Sequence, residues 1–188
     1  MSIFLLLLLA KRGAADGPIS NVMDIHLDPA RTTIRWTLKD VLHTVHGTFK
    51  LQRGFIRIDR GTGRAEGSVE VNARSGESGN PSRDEHMHKY ILESSKYPII
   101  CFRPQRAFGQ LNSASPEVIT LDGIFHIHGQ DHPLEMQLHV RPNGTTYEAS
   151  THFTVPYVAW GLKDPSTFLL HVSGNVEIDV DTEATAGP

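Results

Sequence analysis

A single cysteine, Cys101, is the whole thiol content of this sequence of 188 residues. No internal disulfide, CxxC redox pair or four-cysteine zinc site can form from it. A basic excess is also missing: 18 Lys and Arg stand against 21 Asp and Glu, a net charge of −3. With aromatics at 7% and no basic stripe among them, the chain lacks the footprint of a nucleic-acid platform. No apolar run reaches the roughly 20 residues that a bilayer-spanning helix needs. The patterns G-x-S-x-G, G-x-G-x-x-G and the P-loop are absent, and no spacing of Ser, His and Asp singles out a triad. At 39% apolar and 21% charged residues, the composition is that of one ordinary globular domain.

The N-terminus stands apart. Ile3–Ala10 reads IFLLLLLA, the length of a secretory h-region, and Gly13-Ala14-Ala15 would serve as a small-residue cleavage site. Lys11 and Arg12 follow the run instead of preceding it, as a mis-set start would produce. Residues 1–15 are therefore expected to be a signal peptide, the alternative being a frayed apolar tail. Export would place the protein in the periplasm or outside the cell; without a working leader it is cytoplasmic.

From Asn21 onward the pattern is period-two alternation punctuated by Gly, Pro, Asn and Asp. Thr33–Lys39 sets Ile34, Trp36 and Leu38 on one face, and Gly67–Ala73 does the same with Val69 and Val71. Further strands are expected at Thr44–Gln52, Gly54–Arg60, Pro98–Arg103, Glu117–Gly129, Pro133–Arg141, Thr145–Val155 and Phe168–Val180. Asp59–Gly63 and Pro142-Asn143-Gly144 are turns. One segment breaks the alternation: Asn80–Ser94 carries Met87, Tyr90 and Ile91 at helical spacing, with Pro81 near its start. It predicts the only helix of any length, about three turns. Thr182–Pro188 is a polar tail expected to be disordered. Eight to nine strands joined by short connections imply an antiparallel all-β fold. Long strands with one apolar face each must hide that face, and a closed barrel does so without leaving edges. A sandwich is the alternative. The domain is placed at residues 21–181.

Four segments then resemble the YceI-like proteins, bacterial lipocalin-like eight-stranded barrels that bind polyisoprenoid or other long-chain lipids. They are Val45–Leu51 (VHGTFKL), Ser82–Met87 (SRDEHM), Lys96–Phe102 (KYPIICF) and Asp122–Met136 (DGIFHIHGQDHPLEM). Their order and spacing span Ile25–Val180. Where many relatives carry a histidine on the first long strand, this sequence has Lys39 or its neighbours; His43 and His46 lie beyond it and are candidates for a relocated polar contact. The resemblance implies a carrier in the cell envelope whose ligand is a polyisoprenoid, an isoprenoid quinone or a fatty-acid derivative. It implies no cofactor beyond that lipid and no stable membrane span. A homodimer is left open.

If the apolar faces turn inward, the bore is lined by Trp36, Phe49, Val69, Val71, Phe102, Leu121, Phe125, Leu138, Val140, Tyr147 and Phe153. A barrel of eight strands either fills such a bore with side chains or holds one slender ligand, so a structural barrel with a filled core is an alternative. Arg83 has two readings: it pairs with Asp84 or ties the helix to the rim, or it meets an anionic headgroup. The eleven histidines raise a third class of function. His126 and His128, two apart on a strand, share one face, and with His132 they would form the metal site of a small β-barrel enzyme. His86 and His88 diverge on a helix. Cys101, in an apolar strand, reads as an inert small hydrophobe.

Overall fold

The computed structural model describes residues 21–40, 43–109, 115–166 and 171–187. The expected leader, residues 1–15, lies outside them. Eight strands follow one another in chain order: β1 (Val22–Asp40), β2 (Thr44–Asp59), β3 (Ala65–Glu77), β4 (Ile99–Phe108), β5 (Glu117–Ile127), β6 (Gln130–Asn143), β7 (Thr146–Val155) and β8 (Val172–Gly187). Each pairs antiparallel with its neighbour, and β1 pairs with β8, so the sheet closes into a barrel. The sandwich alternative is thereby excluded.

β5 shows the alternation most plainly: Ile119, Leu121, Gly123, Phe125 and Ile127 are buried, and the residues between them are not. β1 and β2 look discontinuous in the sequence because each changes parity once. On β1 the inward set is Met23, Ile25 and Leu27 below, then Ile34, Trp36 and Leu38 above. The register shifts between Leu27 and Thr32, where the Asp28 side chain accepts from the Ala30 N–H. Thr33–Lys39 is thus only the upper half of a longer strand. On β2, Leu51 opposes Val71 while Arg53 opposes Glu70, so one extra residue bulges out. The two segments expected on either side of Arg53 are a single strand with its faces exchanged.

One further expectation is refined and one corrected. The expected short helix spans Pro81–Ile91 as α1 (Pro81–His86) continued by a π-helical turn at Met87–Ile91. Asn80 caps it by accepting from the Arg83 N–H, and Pro81 occupies the first turn, where its missing N–H costs nothing. The Leu92 N–H reaches back five residues to the Met87 carbonyl, which widens the turn. The chain end, in turn, is no loose tail. β8 runs on to Gly187, with Ala184 opposite Leu27 of β1 and Tyr147 of β7. Polar side chains there do not prevent a strand, because backbone pairing on both sides holds it and Ala184 is buried.

The barrel has two unlike ends. The lower carries the β2–β3 turn, the β6–β7 turn and the outer ends of β1 and β8. The upper carries α1, the β5–β6 turn and the segment after β7. Among the described residues no large side chain is completely buried, although the inner faces are apolar throughout. A filled core would contain several such side chains.

Candidate functional site

The reason is a cavity of about 510 Å³ within the barrel. Every strand contributes to its wall through the inward positions just described, and α1 with its π-turn contributes Arg83, His86, Met87 and Ile91 at the upper end. Of the eleven residues expected to line a bore, Trp36, Phe49, Val69, Val71, Phe102, Leu121, Phe125, Leu138 and Phe153 line this cavity. Val140 and Tyr147 do not. Both lie close to the lower β6–β7 turn, beneath the void; Tyr147 is half-buried opposite Ala184, and Val140 borders a second, charged concavity.

Three wall aromatics are seated on glycines of the adjoining strand. A Cβ at Gly47 would come within 2.3 Å of the Trp36 ring, one at Gly76 within 2.5 Å of the Phe49 ring and one at Gly123 within 2.7 Å of the Phe102 ring. The missing side chains leave the space that each ring occupies.

Among the wall residues outside the expected set, three groups stand out. Val176, Ile178 and Val180 on β8 alternate with Glu177 and Asp179, a legible pattern. Met87, Ile91 and Leu92 close the upper end from the helix. Tyr157, Leu162 and Pro165 come from a loop with no periodicity to reveal them. Above Leu138 and Thr151, β6 pairs only with β5 and β7 only with β8. The loop lies over this separation: Trp160 stacks face to face on His132 of β6, ring centroids 4.3 Å apart, and sits 5.7 Å from Phe125. Tyr157 anchors the loop by donating to the Ser173 carbonyl at 2.8 Å, and burial pushes its phenol up to about 12.

The polar candidates separate. Arg83 lines the cavity, but its Nε donates to Ser78 Oγ (2.8 Å) and its Nη2 to the Ser78 carbonyl (3.1 Å). The Ser78 hydroxyl and N–H both donate to Asp84. Arg83 and Asp84 thus tie α1 to the end of β3 through Ser78, a residue with no sequence signal of its own. His46 faces outward on β2 beside Thr37, with Nδ1 3.0 Å from its hydroxyl, and so cannot reach the bore. His43 is exposed just ahead of β2.

The three-histidine site does not assemble. His126 faces outward, opposite Asp131 and 2.6 Å from its carboxylate. His132 is opposite inward-facing Phe125. His128 does not share His126's face, because it has left the strand: at φ 52°, followed by Gly129 at φ 77°, it forms the two-residue turn into β6 and bonds to Glu93 at 2.6 Å. Among the described residues no group of three or more His, Cys, Asp and Glu is arranged to hold a metal ion. Cys101 is buried away from the cavity wall, and burial first, then the Glu70 charge, raises its thiol above the ordinary value.

A family model described as YceI-like domain matches residues 26–184. No curated protein sequence matches the chain. Solved structures do. BcnA of Burkholderia cenocepacia shares 17% identity over 85% of this chain and 99% of its own, with a TM-score of 0.69. A polyisoprenoid-binding domain from Saccharophagus degradans implicated in plant cell wall breakdown shares 16% over 87% and 98%, with a TM-score of 0.62. A YceI protein of Campylobacter jejuni shares 11% over 98% and 92%, with a TM-score of 0.55. At these identities the likeness is one of fold.

Proposed function

Since this chain belongs to the YceI-like family, we propose that its bore holds the apolar chain of a long lipid, and that the protein carries or sequesters that lipid without chemical change. The observation that carries this reading is the cavity itself: about 510 Å³, walled almost wholly by aliphatic and aromatic side chains. A polyisoprenoid, an isoprenoid quinone or a fatty-acid derivative fits that chemistry. The Saccharophagus domain of the same fold, named as polyisoprenoid-binding, supports it.

The driving force is desolvation. Each methylene moved from water into such a wall gains about 0.8 kcal/mol, so ten of them supply about 8 kcal/mol. That corresponds to a Kd of about 1 μM before the cost of ordering the chain is met. The leader-like run Ile3–Ala10 supports work in the periplasm or outside the cell.

Organic extraction of natively purified protein, followed by mass spectrometry, is expected to yield a long-chain lipid near one per protein. Leu138→Asp, which puts a carboxylate into the wall, is expected to lose most of it. Repeated empty extractions of the wild type overturn the proposal. Full retention by Leu138→Asp shows that the lipid sits elsewhere.

A further inference from the structure

We infer that the ligand carries an oxygen beside its apolar chain, and that this oxygen lies inside the barrel, accepting a hydrogen bond from the indole N–H of Trp36. The inference rests on the carrier reading and narrows its ligand class to lipids with a carbonyl, ester or phosphoryl oxygen at the head.

Trp36 takes the inward position between Ile34 and Leu38 on β1, lines the cavity, and is only 5% exposed. Its Nε1 is buried out of reach of water and has no acceptor among the described residues, so wall side chains beside it must part to admit a ligand oxygen. An indole nitrogen can only donate, and unlike a hydroxyl it cannot turn toward a new partner without moving the whole ring. The ring here has little freedom to move. A Cβ at Gly47 would meet its Cε2 and Cζ2 at 2.3 Å and the Glu77 carbonyl oxygen at 2.2 Å, so the indole occupies the space a side chain would have taken.

For packing alone, phenylalanine would serve this wall and would leave no donor stripped of water. Buried donors without acceptors are rare in folded proteins because they are costly. A tryptophan held in this place implies an acceptor that arrives with the ligand. A second lining residue, Thr151 of β7, also has a buried oxygen without a partner among the described residues. Trp36 stands toward the upper end: it opposes Gly47, whose neighbour Thr48 opposes Glu77, next to the Ser78 that holds Arg83. The head of the lipid then rests beneath α1, with its tail running down the bore.

The test presents methyl palmitate and heptadecane together from cyclodextrin, recovers the protein by gel filtration, and measures both after extraction. One neutral hydrogen bond corresponds to about fivefold in preference. Trp36→Phe is expected to lower the retained ester-to-alkane ratio by about fivefold while heptadecane retention holds. Tyr147→Phe, at an aromatic that does not line the cavity, is expected to leave the ratio unchanged. A measurement independent of how Trp36→Phe folds uses ¹⁵N-labelled Trp160→Phe, which has a single indole N–H. Loading with the ester is expected to shift that resonance away from its position in the heptadecane-loaded protein. If both probes are retained but neither the ratio nor the resonance responds, this inference fails alone. If wild-type protein retains neither probe, the carrier reading fails and this one with it.

Discussion

Replacing Gly47 by alanine adds one methyl group to a place where the fold has left none. The new Cβ would lie 2.2 Å from the Glu77 carbonyl oxygen and 2.3 Å from Cε2 and Cζ2 of Trp36. Nonbonded heavy atoms rest at about 3.5–4.0 Å, so more than an ångström must be found on each side. One neighbour is backbone and the other is a ring packed in the wall, so neither yields cheaply. Overpacking of this kind costs about 1–3 kcal/mol, and the rigid neighbours put Gly47→Ala near the upper figure. The smaller entropy of the unfolded alanine chain returns about 0.4–1 kcal/mol. The net destabilisation is then about 2 kcal/mol. For a domain of this size, that is a Tm lower by about 4–8 °C. Thermal unfolding followed by circular dichroism measures it, with Gly187→Ala as the control, since a Cβ there meets nothing within 4 Å. Equal Tm values for the two variants would refute the seating of Trp36 on Gly47.

Two further outcomes are expected. Deleting residues 182–188 strips Asp24–Leu27 of β1 and Thr146–Ala149 of β7 of a paired strand, and so should produce oligomers and rapid proteolysis where the full chain is resistant; an unaltered elution volume and digestion rate would contradict the pairing. His152 bonds to Asp179 at 2.9 Å and feels the Glu177 charge, and both raise its pKa above the ordinary 6.5. Its pairing therefore contributes fully below about pH 6.5 and is lost as the pH rises through the higher folded value. An NMR titration should place the His152 midpoint above 6.5 and bring it down in Asp179→Asn; a midpoint at or below 6.5 in the wild type would contradict the geometry.

What the sequence made legible was local and periodic. The uninterrupted parity of β5 places Leu121 and Phe125 on the wall without help from any other strand. Where parity changes, at Asp28–Arg31 and near Gln52, alternation alone cannot tell a bulge from a loop, and two continuous strands look broken. Thr182–Gly187 has too little apolar character to announce a strand, because its order comes from partners more than a hundred residues away on β1 and a second strand, β7. His128 shares sequence spacing with His126 but not its face, since a left-handed backbone intervenes. The Tyr157–Pro165 loop is positioned by tertiary contacts such as Trp160 on His132, and no periodic signal encodes those.

The meander has a practical consequence for handling the protein. Val22 is level with Asp59 and Asp24 with Gly187, so β1 starts and β8 stops at the end of the barrel remote from α1. A tether fused ahead of β1 or behind β8 would hold the molecule by its base. Immobilised in either way on a bead or sensor chip, it would present the helix-covered mouth to the solution, where vesicles or a donor protein could approach it.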